Sequence, residues 1–412
     1  MWLLAFIPPI FVSLIFVEIL IDRIWFRKYY RLRDCLANLQ VGLGHQIVAQ
    51  LLKVMGFALY IVVYDYARLY SVEMTWYWWV VLFFGLDFCY YWAHRFSHEL
   101  NILWVDHSVH HMGEDYNLAA ALRLGYYQLL YTYLFYLPLA VAGFPPEAFI
   151  LILAISTIYQ FWTHTELIRT LGWYEKIFVT PSHHRVHHAR NPQYIDKNYG
   201  GVFIFWDYLF GSFAKEQEDV VFGITQPPAS LNPMYMQVHH LRQVWRDFRT
   251  VKGFKNKLGV LVQKPGWLPR EMGGPRQVPE VQAASYKKYD PEAVKGQNVY
   301  LFLHTAVVIG IIMAFAGSID SLSWPLKMGG STWCFFNMFA LGTSFDNRPW
   351  GLWPEMLRHL SLIAVSLLLW EEGMISTVVL AGIIPAVLMS LAWCFRLFGQ
   401  IRKKQQKPQL AL

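Results

Sequence analysis

Long apolar runs confine this chain to a narrow set of folds. Five strong candidates for membrane-spanning helices occupy residues 2–21, 46–64, 76–93, 126–143 and 147–163. Four more lie near 300–317, 333–345, 357–370 and 374–395, the middle two of them short. About 20 apolar residues in a helix cross a bilayer core, and the helix bonds its own backbone where no water reaches. Composition agrees: of 412 residues, 55% are hydrophobic, 17% aromatic and only 15% charged, against roughly 25% charged in ordinary soluble domains. The expected fold is an all-α integral membrane protein with about nine transmembrane helices. The formal charge of +7 fits basic loops on one side of a membrane, and nucleic acid is not an expected partner. Met1 to Ile21 lacks a basic start and a small-residue cleavage site, so it reads as a retained helix. Cys35, Cys89, Cys334 and Cys394 are scattered, with no CxxC pair, and read as packing residues.

The chain divides accordingly. Residues 1–75 hold the first helices, 76–215 the histidine-rich region, 216–299 a polar segment, and 300–412 the last helices with the basic tail Arg402-Lys403-Lys404. Trp76, Trp78 and Trp79 read as an interfacial aromatic belt. Phe144-Pro145-Pro146 reads as a tight turn that makes a hairpin of the fourth and fifth helices. The histidine groups on either side of that hairpin therefore face the same side of the membrane. That side also receives Arg23, Arg27, Lys28, Arg31, Arg33 and the basic tail, while the other side holds mainly Arg68 and Lys327. An excess of Lys and Arg marks the cytoplasmic face.

Dense histidine groups stand at these boundaries. His94 and His98 are four apart at the end of an apolar run, followed by His107, His110 and His111. His183, His184, His187 and His188 come about seventy residues later. Side chains three and four apart share a helix face, so each group presents several imidazoles to one point, and imidazole suits zinc, copper and iron. His164 ends the fifth apolar run on the same side and is a further candidate ligand. His239 and His240 fit a ligand or a structural role equally, and His45, His304 and His359 read as structural. A zinc protease would need a glutamate directly after the first histidine of H-E-x-x-H, where Arg95 stands. One closed zinc site uses four ligands, so this many histidines point to two metals and to oxygen chemistry. Glu99, Asp106, Glu114 and Asp115 are the acids placed to orient ligand N–H groups. A membrane metal carrier is the reading of another class.

These residues resemble the membrane fatty acid hydroxylase/sterol desaturase superfamily with its three histidine boxes. Within it, the chain is closer to the ether-lipid (glyceryl-ether) monooxygenase family. The stretches that carry the likeness are Asp87–Arg95, Glu114–Leu118, Gln160–Glu166, Thr180–His188, Ile195–Gly201 and Gln237–Leu241. The likeness implies a multi-pass enzyme of the endoplasmic reticulum, or of the cell membrane in a bacterium, with a cytoplasm-facing di-iron site and tetrahydrobiopterin as reductant. Box one maps onto His94 and His98, box two onto His107, His110 and His111, and box three onto His184, His187 and His188, with Glu99 in the place of a family acid. The implied substrate is an ether lipid, hydroxylated at the ether-bearing carbon, with membrane lipid around the enzyme and no obligate protein partner. A sterol or fatty acyl hydroxylase fed by cytochrome b5 is the alternative within the superfamily. Tyr126, Tyr127, Tyr131 and Tyr133 fit the wall of an acyl-chain channel.

Overall fold

A computed structural model describes residues 7–406. Its helices are α1 (Ile7–Trp25), α2 (Leu32–Ala67), α3 (Trp76–Glu99), α4 (Asn101–His111), α5 (Gln128–Val141), α6 (Pro146–Trp162), α7 (Pro181–His187) and α8 (Phe205–Leu209). They continue as α9 (Pro233–Thr250), α10 (Phe254–Val262), α11 (Gln297–Ser318), α12 (Trp324–Phe345), α13 (Leu352–Glu371) and α14 (Thr377–Gln406). Among the described residues there is no strand, only two isolated bridges, Phe178 with Phe203 and Ala189 with Phe222. The fold is all-α, as the apolar periodicity requires.

Among the described residues, fewer helices are long and apolar enough to cross a membrane than the nine the sequence reading expects. Gln297–Ser321, Pro349–Glu371 and Thr377–Gln406 are long and apolar enough to cross, and a fourth span exists if Leu32–Leu52 and Met55–Ala67 act together across a 41° bend. With 14 and 17 residues, α5 and α6 fall short of the ~20 that a straight span needs. Residues 2–6 of the first expected span lie outside the described residues. Two boundaries moved for identifiable reasons. α2 starts well before residue 46 because Asp34, Asn38 and His45, which interrupt the apolar run, are buried and bonded. α3 runs past residue 93 to Glu99 because nothing in Ala93–Glu99 breaks a helix.

The chain forms two compact units. In the first, which runs to Pro228 and resumes over Gln237–Lys288, α2, α3, α5 and α6 share a core of Tyr60, Leu82, Leu86, Tyr136 and Phe149. The α2–α3 loop meets the α5–α6 turn. Leu69 N–H donates to the Val141 carbonyl at 2.8 Å, Val72 N–H to Gly143 at 3.1 Å, and the Tyr60 hydroxyl to Phe144 at 3.0 Å. From that end α3 runs the length of the core, so His94 and His98 emerge at the opposite end, where α4 begins.

The second unit comprises Ala229–Met236 and the chain from Tyr289 onward. Its core holds a polar knot. The Tyr300 hydroxyl donates to Glu355 at 2.6 Å, Arg358 to the same carboxylate at 2.7 Å and to His304 Nδ1 at 3.0 Å, and Ser390 bridges His304 and His359 at 2.6 and 2.9 Å. His304 and His359 are thus packed within helices. The four cysteines are free and buried.

Gly143 tests the loop clamp. Its φ is +95°, and a Cβ there would lie 1.7 Å from the Tyr70 carbonyl oxygen. Gly143→Ala is expected to lower the Tm of detergent-solubilised protein by about 5 °C or more; an unchanged Tm would show that the clamp does not hold the core.

Candidate metal centre

Nine histidines converge where α3, α4, the end of α6 and α7 meet. They form two groups: His94, His98, His107, His111 and His187 in one, and His110, His164, His184 and His188 in the other. Within each group the available ligand atoms lie within 4.8 Å of one another, and every residue is buried. The two groups interleave along the chain. α4 gives His107 and His111 to the first and His110 to the second. α7 and its C-cap give His187 to the first and His184 and His188 to the second, because positions three and four apart flank one helix stripe. The His111 and His188 rings stack at 4.3 Å where the groups adjoin.

Backbone carbonyls fix the rings. Nδ1–H of His94 donates to Tyr199 at 2.9 Å, of His110 to Arg123 at 2.9 Å, of His187 to Lys197 at 2.9 Å and of His164 to Gln160 at 3.0 Å. A carbonyl can only accept, so the proton sits on Nδ1 and the Nε2 lone pair points inward. The inward atoms fit a metal. Nε2 of His94, His98 and His187 is buried without a protein partner. In the second group, Nε2 of His164 lies 3.2 Å from that of His110 and 3.0 Å from that of His184, and His188 lies 3.2 Å from His184. Such spacings are those of neighbouring ligands on one ion with bonds of about 2.1 Å. Burial, reinforced by neighbouring imidazoles, pushes His107, His111, His184, His187 and His188 far below the usual histidine range, and burial with the Arg123 charge lowers His110 to about 4. The rings are therefore neutral and able to coordinate.

The carbonyls are held in turn by a second layer that the sequence did not flag. Asp207 accepts from Tyr199 N–H at 2.7 Å, Gly200 N–H at 2.8 Å and the Ser212 hydroxyl at 2.7 Å. Asp87, on α3, accepts from Val202 N–H at 2.8 Å, Phe203 N–H at 3.1 Å and the Trp206 indole at 3.0 Å. Gly201 sits tight against this carboxylate, since a Cβ there would lie 2.8 Å from Asp87 Oδ1. One loop thereby aims a histidine from α3 and one from α7. The only sequence trace was an acid upstream of His94 and a Tyr-Gly-Gly run. Arg123, whose carbonyl holds His110, pairs with buried Asp34 at 3.0 Å and with Asn38 at 2.7 Å.

Other expected site residues stand apart. His183 accepts from Thr180 N–H at 3.3 Å and closes a capping box at the start of α7. Glu99 does not join the histidines: a residue after His98 points about 100° away on the helix, and its carboxylate pairs with Arg95 at 3.2 Å and Lys264 at 3.9 Å. Asp106 accepts from Tyr127 N–H at 2.9 Å at the start of α5. Glu114 accepts from the Tyr286 hydroxyl, and Asp115 pairs with Arg31 at 2.9 Å and Lys288 at 2.8 Å, so both acids tie down the loop after α4. His239 bonds the Gln226 carbonyl at 3.0 Å, and His240 lies 2.7 Å from Asn101 Oδ1; neither enters a group.

Loss of the Asp207 brace is expected to weaken metal binding. Asp207→Asn should cost about 10- to 100-fold in metal affinity, the usual penalty for losing such a support, whereas Glu99→Gln should leave affinity unchanged. Metal titration of the purified protein checks both, and an equal loss in the two variants would contradict this division of roles.

Comparison with known proteins places the site. The fatty acid hydroxylase family model matches residues 79–212, the stretch that carries all nine histidines. The chain is 36% identical over 357 residues to an alkylglycerol monooxygenase from Xenopus tropicalis, covering 85% of this chain and 79% of the relative. It is 36% identical over 370 residues to the one from Homo sapiens, covering 86% and 80%. An ornithine lipid hydroxylase from Rhizobium tropici is 33% identical over 135 residues, 32% of this chain and 40% of that protein. No solved structure matches. Identity that extends far beyond the histidine region, into the helices on either side of it, shows that the chain belongs to the alkylglycerol monooxygenase family.

Proposed function

We propose that the protein is an ether-lipid monooxygenase acting on alkylglycerols or lyso-ether lipids with dioxygen and tetrahydrobiopterin. The observation that carries this reading is the pair of interleaved, carbonyl-braced histidine groups in a chain alike to alkylglycerol monooxygenases over most of its length. Two iron ions, one per group, would supply dioxygen activation and insertion of one oxygen atom. Oxygen, two electrons and two protons convert the ether-bearing CH2 into a hemiacetal and release water. The hemiacetal then breaks its carbon–oxygen bond to give a fatty aldehyde and a glycerol derivative.

The residues of the chain do the rest. Four backbone carbonyls hold four of the rings in the tautomer that coordinates, and burial of all nine rings would keep bulk water from ions held there. Neutral imidazole ligands add no negative charge, so ions held here would keep their full positive charge and act as electron-poor centres.

The histidine end is proposed to face the cytoplasm at the endoplasmic reticulum, or at the cell membrane in a bacterial source. The α5–α6 hairpin returns the chain to the side it left whether or not its short helices cross, and the Arg31–Asp115 pair keeps the basic run Arg23–Arg33 at the histidine end, which supports this orientation. Membrane lipid is the proposed surrounding partner, and neither nucleic acid nor an obligate protein partner enters this reading.

Purified protein supplied with iron, dioxygen and tetrahydrobiopterin is expected to release fatty aldehyde from an alkylglycerol. His98→Ala and His187→Ala should lower kcat by at least about 10³-fold while leaving the protein in the membrane. Turnover that depends on NADPH and cytochrome b5 and ignores the pterin would instead favour a sterol or fatty acyl hydroxylase. Reversible metal loading without oxygen-dependent turnover would favour a metal carrier.

A further inference from the structure

The start of α5 gathers polar side chains that the metal site does not use. Asp106 lies on α4 one turn before His110, and its Oδ1 accepts the Tyr127 N–H at 2.9 Å. Gln237, in α9, accepts the neighbouring Tyr126 N–H through Oε1 at 3.2 Å. Gln128 follows directly as the first residue of α5. Each of the three side chains keeps one buried polar atom without a protein partner: Asp106 Oδ2, Gln128 Oε1 and Gln237 Nε2. Asp106 is 7% exposed and Gln237 9%. A buried polar atom left unbonded costs about 1–3 kcal/mol, so three of them anchored on consecutive residues call for an explanation.

The surroundings tie this cluster to the histidines and to an apolar route. Next to it, the His45 ring bonds the Gly125 carbonyl at 2.6 Å. Ser97, beside His98, reaches the Tyr131 hydroxyl on α5 at 3.4 Å. One residue further along both helices, a cavity of about 220 Å³ lies between α2 and α5, lined by Gln46, Ala49, Gln50, Leu52, Leu129 and Tyr133. Polar atoms thus stand a helical turn from one histidine, and the cavity begins at Leu129, the residue after Gln128.

We propose that Asp106, Gln128 and Gln237 form the headgroup subsite, recognising the two free hydroxyls of a neutral glycerol ether. Asp106 Oδ2 and Gln128 Oε1 each accept one hydroxyl proton, and the Gln237 amide donates to a hydroxyl oxygen. The set of two acceptors and one donor matches a diol, which both donates and accepts. A carboxylate in this place repels a phosphate, so the uncharged headgroup is preferred. Asp106 and Gln237 act as specificity-determining residues, and the alkyl chain runs toward the α2–α5 cavity. The inference rests on the proposed ether-lipid reading.

The test compares an alkylglycerol with its 2-deoxy analogue on the full-length, metal-loaded protein in detergent micelles, by equilibrium binding without oxygen and by turnover with it. Asp106→Asn and Gln237→Glu keep the oxygen that bonds α5 and change only the unpartnered atom. Wild type is expected to bind the diol at least about ten-fold more tightly than the analogue, the size of one or two net hydrogen bonds. Each variant should lose about that factor for the diol, bind the analogue as wild type does, and raise KM more than it lowers kcat. Equal weakening for both ligands, or diol binding unchanged in both variants, would overturn the subsite. Discriminating binding without turnover would sink the ether-cleaving reading and keep the subsite; turnover without discrimination would do the reverse.

Discussion

Nine buried imidazoles hold together only if each ring has a reason to point inward. The backbone carbonyls of Tyr199, Arg123, Lys197 and Gln160 supply it for four of them by fixing the proton on Nδ1. Three buried acids of the first unit serve those carbonyls. Asp207 and Asp87 shape the loop that offers Tyr199, and the Asp34–Arg123 pair fixes the one that offers the Arg123 carbonyl. Without an ion, the inward nitrogens of His94, His98 and His187 would be buried polar atoms lacking partners, each costing about 1–3 kcal/mol. Metal binding and folding are therefore coupled at this end of the molecule.

The packing geometry divides the second and third boxes between the two groups, while the first box stays whole in one. Sequence reading treats His107, His110 and His111 as one unit, yet α4 splits them two to one, and α7 with its C-cap splits His184, His187 and His188 the other way. A metal pair built in this manner shares its supports. Movement of either helix disturbs both groups together.

The legible part of the sequence was what local periodicity encodes. Three- and four-residue spacing showed which histidines share a face, and apolar runs located the helices. His164 was legible because an ionisable group ended an apolar run, and the structure brings it between His110 and His184. The unreadable part is long-range. Asp87 supports the site across 115 residues of separation, and Asp207, though only 8 residues from Tyr199, acts through backbone N–H groups that no spacing rule marks. Glu99 diverges from the histidine groups because neighbours in sequence point apart on a helix, and His183 closes a capping box, which uses the same residue types as a ligand set. The polar side chains of residues 34–45 masked the start of α2, because they are buried against Arg123 and Gly125, which lie some eighty residues away.

The central claim is that one chain holds two ions in two separate but adjoining histidine groups. Metal content per chain, measured on protein expressed with iron and confirmed by Mössbauer spectroscopy, tests it most directly. The account predicts two irons per chain, and one after His164→Ala, which belongs to the second group alone. A single ion in wild type, or a His164→Ala variant that keeps both, would contradict it.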